Sequence, residues 1–190
     1  YYTGNTMEDG DFDFTYEGRG SNTTLVTSKD GITASAKKCL LTSANYPHTL
    51  SCHVRDPKVF KEIGKYYMVL GARTRNDVGC VLLYEAEDKE HFRFKQYITS
   101  EKPFGYMWEC PDLFRIDGNL FLSISPQGIA AEEYQYQNVY QSGYYRILGD
   151  LEDYTLSPFI EWDMGFDFYA PQSFIDESGR RILIGWMGVG

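Results

Sequence analysis

The chain has 190 residues, of which 43% are hydrophobic and 16% aromatic, so it can bury a sizeable core and is not globally disordered. Its 18 basic and 27 acidic residues give a net charge of −9, and no Lys/Arg cluster stands out, which disfavours a nucleic-acid partner. No apolar run approaches the roughly 20 residues of a membrane helix, so no membrane partner is expected. At roughly 150 residues per domain, the length predicts one domain or one domain plus a fragment.

The cysteines and histidines give little functional information. The four cysteines are scattered and form no Cys-x-x-Cys pair. We expect reduced thiols and a cytoplasmic location, although an even count also permits two disulfides and a secreted parent protein. The spacing of Cys39, His48, Cys52 and His53 matches no usual structural zinc pattern. The sequence predicts neither a metal ion nor a cofactor.

One motif recurs three times, with its prolines 54 and then 60 residues apart (Pro57, Pro111 and Pro171). Each copy has a Phe three residues after the Pro and a Gly seven or eight residues after it. A short apolar segment follows each copy, and we predict strands at 66–70, 120–124 and 182–186. Internal repetition of this length is typical of blade-like architectures.

The rest of each unit also predicts strands separated by turns. Segments 80–84 and 92–94 flank an acidic turn, and 144–148 and Tyr154 flank another. Upstream, we predict strands at 24–28 and 32–34, joined by a turn at Lys29-Asp30-Gly31. Each unit therefore has about four short antiparallel strands, and this is typical of a β-propeller, which holds about four to eight blades. The rival all-β fold, a sandwich, does not explain why one motif recurs in every unit.

The residues just before each repeated proline predict a functional site. They are Arg55-Asp56, Glu109-Cys110 and Tyr169-Ala170. Equivalent positions of different blades face one channel, so Arg55, Asp56, Glu109 and Tyr169 should converge. Two carboxylates with an Arg and aromatic residues are typical of a glycosidase. The alternative is structural: Arg-Asp pairs at strand starts are usually ion pairs, and a Glu beside a Trp is often a rim residue.

Local sequence suggests different roles for the two carboxyl groups. Glu109 follows Met107-Trp108, and an apolar flank would raise its pKa and keep it protonated as a general acid. Arg55 would hold Asp56 ionised as an orienting carboxylate. The expected walls for a sugar ring are Trp108, Phe168, Tyr169 and Trp186.

Three motifs resemble the middle of glycoside hydrolase family 32, and the resemblance runs from about residue 1 to 190. They are Arg55-Asp56-Pro57, Trp108-Glu109-Cys110-Pro111-Asp112-Leu113-Phe114 and the segment from Gly165 to Gln172. The sequence of the third motif is most similar to that of the bacterial sucrose-6-phosphate hydrolase branch.

The resemblance implies a five-bladed β-propeller followed by a β-sandwich, and retaining cleavage of β-fructofuranosides without a metal. It implies that Glu109 is the acid/base, that Asp56 binds the fructosyl hydroxyls and stabilises the transition state, and that Arg55 is its partner. Residues 1–190 would then be a partial catalytic propeller of roughly three to three and a half blades. The first blade segment and the sandwich would lie outside it.

One part of the family pattern is missing. The family's nucleophile is an Asp in an Asn-Asp-Pro-Asn motif, and this sequence contains no such motif. Asn76-Asp77 is followed by Val78-Gly79 and does not replace it. We therefore expect no nucleophile in this chain and no activity from the chain alone.

Two alternatives and two further expectations accompany this hypothesis. One alternative is a five-bladed glycosidase of another specificity, for instance for arabinosides. Another is a non-catalytic carbohydrate-binding or assembly module made of propeller blades. The substrate partner would be a small sugar, and open blade edges should favour self-association.

Overall fold

The computed structural model describes residues 1–165 and 167–188. Phe166, part of the third family motif, lies outside the described residues. In this part of the chain the structure has fourteen β-strands and a single 3-10 turn, at Ser43–Asn45. The all-β prediction is therefore confirmed.

The strands form four antiparallel sheets. Sheet 1 has the order β1 (Tyr2–Met7), β2 (Arg19–Leu25) and β3 (Lys38–Leu41). Sheet 2 has the order β4 (Leu50–Glu62), β5 (Lys65–Thr74), β6 (Gly79–Ala86) and β7 (Arg93–Ile98). Sheet 3 runs from β8 (Met107–Ile116) through β9 (Asn119–Gln127) and β10 (Gly143–Gly149) to β11 (Tyr154–Leu156), and the short β12 (Ile160–Glu161) also pairs with β10. Sheet 4 is the hairpin of β13 (Tyr169–Ile175) and β14 (Arg181–Trp186).

The first strand of each sheet lies next to the first strand of its neighbour. β1 contacts β4, β4 contacts β8, and β8 contacts β13. Each of these strands except β1 carries one copy of the repeated motif, so the three copies lie side by side. This is the arrangement of inner strands in a β-propeller. The number of blades in the complete propeller stays a prediction.

The middle strands of sheet 2, β5 and β6, are buried on both faces, which explains their apolar sequences. Met68 and Leu70 of β5 belong to a core cluster with Tyr46 on the side of sheet 1. Val69, between them, points the opposite way into a second cluster with Trp108 of sheet 3. Because successive strand residues face opposite sides, one strand contributes to both cores and fixes the spacing of three sheets.

The predicted strand at 32–34 is wrong. The carboxylate of Asp30 accepts hydrogen bonds from the backbone N–H groups of Ile32 and Thr33, at 2.9 and 2.7 Å. These side-chain contacts curl the segment into a loop and remove its amides from strand pairing. The partner of β2 is instead β3. The strand β1 and the short β12 were not predicted from the sequence.

Within residues 1–165 and 167–188, no helix has the length and apolar character needed to cross a membrane.

Candidate active site

The three copies of the repeated motif adopt the same backbone irregularity. The pairing register shifts at each copy, in β4, β8 and β13 alike. The residue before each proline has a positive φ, 61° at Asp56, 48° at Cys110 and 50° at Ala170. Such β-bulges re-aim side chains, and they are frequent beside active sites.

These three residues carry backbone strain. Non-glycine residues rarely adopt the left-handed region, and a following proline restricts the preceding backbone further. Each such residue costs of order 1–3 kcal/mol and persists only where the surrounding structure holds it, often at a functional site. Because the same strained backbone occurs in three neighbouring sheets, we take the region around these three residues as the candidate site.

Glu109 lies at the centre of the polar contacts. Its Oε1 accepts a hydrogen bond from Arg55 Nε at 2.7 Å and lies 2.6 Å from Arg55 Nη2. Its Oε2 accepts hydrogen bonds from Gln127 Nε2, at 2.7 Å, and from the hydroxyl of Tyr169. Burial raises the pKa of Tyr169, and its hydrogen bond to Glu109 raises it further, so the hydroxyl stays a donor. One carboxylate thus joins sheets 2, 3 and 4.

Arg55 makes a second contact, with His53 on the same strand. Arg55 Nη1 lies 2.7 Å from His53 Nδ1. Burial lowers the pKa of His53 to about 4, and the positive charges of Arg55, Arg19 and Arg73 lower it as well, against the opposing charge of Glu109. His53 was not among the residues predicted to form the active site, although its position two residues before Arg55 puts it on the same side of the strand.

Asp56 is held by the neighbouring repeat. Its Oδ2 accepts a hydrogen bond from the backbone N–H of Cys110 at 2.9 Å and lies 3.5 Å from the Cys110 thiol. Its own backbone N–H donates to Thr3 Oγ1 at 3.0 Å, which ties β4 to β1. Burial raises the pKa of Asp56, and Glu109 acts in the same direction, whereas the Cys110 N–H and Arg55 oppose the rise without cancelling it.

The expected division of roles by environment is therefore wrong in two respects. Arg55 does not dominate the pKa of Asp56: its guanidinium engages Glu109, and burial raises the pKa of Asp56 although the charge of Arg55 opposes the rise. The apolar surroundings expected for Glu109 are also not found, since its carboxylate contacts Arg55, Gln127 and Tyr169.

Trp108 is not a wall of the site, which corrects a second expectation. Its side chain is 0% exposed, and its indole Nε1 donates to the carbonyl oxygen of Phe104 at 2.7 Å. Its ring lies 5.6 Å from the ring of Tyr145, in the core. Neighbouring residues of a strand point to opposite faces, so Glu109 at the site places Trp108 inside the protein.

The other aromatic candidates are closer to the surface. Tyr169 contacts Glu109, and its ring lies 5.1 Å from that of Tyr140. Phe168 is half-buried, and its ring packs against Gly185, where a Cβ would lie 2.5 Å from it. Trp186 is 73% exposed and lines the cavity described next.

An open cavity of about 510 Å³ lies beside Asp56. All three strained residues contribute to its lining, which also includes Arg55, Pro57, Gln172, Trp186, Tyr1 and the β1 residues Tyr2, Thr3 and Asn5. The contribution of β1 was not predicted, because nothing in the local sequence of Tyr2–Met7 indicates which strand it faces. Gln127 and Gln172, which contacts the Cys110 carbonyl at 2.9 Å, were missed for the same reason.

Metal binding is not indicated by side-chain clustering. Over residues 1–165 and 167–188, no group of three or more His, Cys, Asp and Glu side chains is gathered in a way that could hold an ion.

The comparisons with known proteins agree with this geometry. The family described as "Glycosyl hydrolases family 32 N-terminal domain" matches residues 1–190. Sucrose-6-phosphate hydrolase of Bacillus subtilis (strain 168) is 41% identical over 196 residues, which cover 100% of this chain and 39% of that protein. The structure of sucrose-6-phosphate hydrolase from Lactobacillus gasseri has a TM-score of 0.84 and 30% identity, over 99% of this chain and 38% of that one. A mutant of the Bombyx mori β-fructofuranosidase BmSUC1, in complex with sucrose, has a TM-score of 0.80 and 34% identity, over 97% of this chain and 39% of that one.

The fold and the clustered carboxylates define a β-propeller domain of the glycoside hydrolase class. Within that class, the chain belongs to glycoside hydrolase family 32. It spans less than two fifths of the length of the Bacillus subtilis relative.

Proposed function

We propose that the protein containing this chain hydrolyses β-fructofuranosides, with sucrose, sucrose 6-phosphate and fructan as the substrate class. The observation that carries the proposal is the convergence of Arg55, Glu109 and Tyr169 beside a cavity that contains Asp56. The names of the Bacillus subtilis and Lactobacillus gasseri relatives, and the sucrose bound to the Bombyx mori enzyme, support this substrate class.

Glu109 is the proposed acid/base. In a retaining mechanism, one carboxyl protonates the leaving oxygen while a second carboxyl, about 5–5.5 Å from the first, attacks the anomeric carbon. The first carboxyl then removes a proton from the water that hydrolyses the glycosyl-enzyme. Donors from Arg55, Gln127 and Tyr169 hold both oxygens of Glu109, which keeps the carboxyl at a defined place for these proton transfers.

Asp56 is the proposed contact for the fructosyl hydroxyls. Only its Oδ2 accepts hydrogen bonds from the described residues, which leaves Oδ1 to accept from a sugar at the cavity. In glycosidases, distortion of the sugar ring and hydrogen bonds to its hydroxyls that strengthen in the transition state together contribute several kcal/mol. Trp186 is the proposed stacking surface for the sugar ring, because it is exposed and lines the same cavity.

The nucleophile is proposed to come from outside residues 1–190. Without it the covalent step has no attacking group, so the chain alone should be inactive. The five-bladed propeller, the missing blade segment, the following sandwich and the cytoplasmic location are further parts of the proposal.

Fructose release tests the proposal. Sucrose, sucrose 6-phosphate, a fructan and a nitrophenyl arabinoside are each incubated with the chain alone and with the chain joined to an upstream segment that carries an Asn-Asp-Pro-Asn motif. We expect fructose only from the joined protein, and no cleavage of the arabinoside. Arabinoside cleavage without fructose release would overturn the specificity. Sugar binding that Asp56→Asn and Glu109→Gln leave unchanged, without turnover in either protein, would favour the non-catalytic binding module.

A further inference from the structure

His53 is a histidine surrounded by arginines. It lies on β4 beside Arg55, Arg19 is on β2 and Arg73 is on β5. The only opposing charge among the groups that shift its titration is Glu109 of β8. Positively charged arginines repel a protonated imidazole, so these surroundings favour the neutral form of the His53 ring.

The hydrogen bond between His53 and Arg55 fixes the position of the imidazole proton. A guanidinium carries only donors, so Arg55 Nη1 donates and His53 Nδ1 must accept, across 2.7 Å. A neutral ring with one nitrogen accepting carries its proton on the other nitrogen, Nε2. Protonation would occupy Nδ1 and remove the acceptor, and the lowered pKa of about 4 keeps that from happening at neutral pH.

The hydrogen bond to His53 uses the one guanidinium nitrogen of Arg55 that does not contact Glu109. Nε and Nη2 of Arg55 both approach Oε1 of Glu109, at 2.7 and 2.6 Å. Nη1 is the remaining nitrogen, and His53 receives it. Partners on both sides fix the rotation of the planar guanidinium, since its donors have a rigid fork geometry.

We propose that His53 is a positioning residue, whose neutral imidazole accepts a hydrogen bond from Arg55 and thereby keeps the guanidinium on Glu109. The inference rests on the proposed function only in that Glu109 is the acid/base. The chain of contacts from His53 through Arg55 to Glu109 can be measured without turnover.

Nitrogen-15 NMR of the 190-residue chain tests the proposal. The chain has three histidines, His48, His53 and His91, so His→Asn variants at each position assign the imidazole signals. At pH 7 we expect His53 as the neutral Nε2–H form. We also expect a protected Nε–H signal from Arg55, which Arg55→Met removes. A His53 ring with its proton on Nδ1 would overturn the proposal.

Two substitutions separate positioning from mere packing. His53→Asn keeps an acceptor oxygen near the place of Nδ1, whereas His53→Leu keeps the bulk without an acceptor. The Arg55 Nε–H signal should persist in His53→Asn and be lost in His53→Leu, while the exposed control His48→Asn leaves it unchanged. Persistence of the signal in a folded His53→Leu chain would overturn the proposal, and dispersed amide signals verify folding.

The titration of His53 provides a measurement that needs no His53 variant. In the native chain the imidazole signals should change near pH 4. Arg55→Met removes a positive charge, so the pKa of His53 should rise. Titration between pH 6 and 7 in the native chain would contradict the inference. Neither readout depends on fructose release, so this inference and the proposed hydrolysis can fail separately.

Discussion

Asp56 accepts a hydrogen bond from the backbone of Cys110, the residue that occupies its equivalent position in the next repeat. Both residues have a positive φ and precede a proline. The contact therefore links two strained bulges. The Asp56 carboxylate accepts the hydrogen bond of the Cys110 N–H, which lies where the bulge in β8 interrupts pairing with β9. Burial raises the pKa of Asp56, and the hydrogen bond from Cys110 opposes this rise without cancelling it.

Asp56→Asn should stabilise the chain at neutral pH. The folded protein favours the protonated carboxyl, so the stability that Asp56 contributes is present below its unfolded pKa of about 3.9 and is lost as the pH rises through the raised folded pKa. Asn cannot ionise, keeps an acceptor for Cys110 and tolerates the left-handed backbone. Thermal unfolding should show a higher Tm for Asp56→Asn at pH 7 and a shrinking difference toward pH 4.

Asp77→Asn is the control of opposite sign. Hydrogen bonds from Tyr16 and Arg73 lower the pKa of Asp77. Its contribution to stability is therefore present above its unfolded pKa and is lost as the pH falls through the folded one. Asp77→Asn should lower the Tm at pH 7. A lower Tm for Asp56→Asn as well would contradict the account of Asp56.

Gly71→Ala should destabilise the chain by about 1–3 kcal/mol, as overpacking typically does. A Cβ at Gly71 would lie 2.1 Å from the backbone oxygen of Trp108 and 3.3 Å from the Cα of Glu109. Backbone atoms cannot rotate away as a side chain can, so the part of β8 that carries Glu109 must move. Urea unfolding measures the loss. Gly4→Ala is the control, because its Cβ would meet only Thr24 Oγ1 at 3.5 Å. Equal stability of the two variants would be inconsistent with this packing.

Trp108 and Trp186 should respond to substitution in opposite ways. Trp108→Phe removes a buried indole and its hydrogen bond to Phe104, so it should cost about 1–3 kcal/mol of unfolding free energy. Trp186→Ala should change stability by less than about 0.5 kcal/mol, because the side chain is 73% exposed. Sucrose titration calorimetry should show weaker binding for Trp186→Ala. Lost affinity in Trp108→Phe with unchanged stability would restore Trp108 as a wall of the sugar site.

Sheet 4 should drive self-association of the isolated chain. Phe174, Ile184 and Trp186 lie on one face of this hairpin and are 49%, 60% and 73% exposed. A two-stranded sheet with an exposed apolar face is only marginally stable by itself and invites pairing. Sedimentation velocity should show oligomers, and Ile184→Lys should shift them toward monomer.

Ile32→Lys is the matched control for this substitution. Ile32 is 91% exposed but lies in the loop between β2 and β3, so the same change of charge should leave association unaltered. Monomeric native chain at high concentration would contradict the prediction.

The sequence predicted the repeat and the meeting of its equivalent positions, because one motif in successive units must occupy one place in successive sheets. It misplaced Trp108, although strand alternation beside Glu109 carried the necessary signal. The partners of Glu109 could not be predicted in full. Gln127 reaches it from the end of β9, and no local pattern marks that contact.

The raised pKa of Asp56 also could not be predicted from the adjacent residues. Arg55 precedes it in sequence, yet the bulge directs Arg55 to Glu109 and leaves Asp56 to burial and to Cys110. A left-handed residue before proline is disfavoured locally, so this backbone is imposed by tertiary packing. Such contacts arise only when the sheets have assembled.

The first turnover of the joined protein tests the acid role of Glu109 most directly. General acid catalysis contributes about 10²–10⁴-fold, so Glu109→Gln should slow release of glucose from sucrose by that factor. A β-fructofuranoside with a nitrophenol leaving group needs little protonation, so its first-turnover burst should be slowed far less. Equal slowing of both substrates, or no slowing of either, would contradict the assignment of Glu109 as the acid.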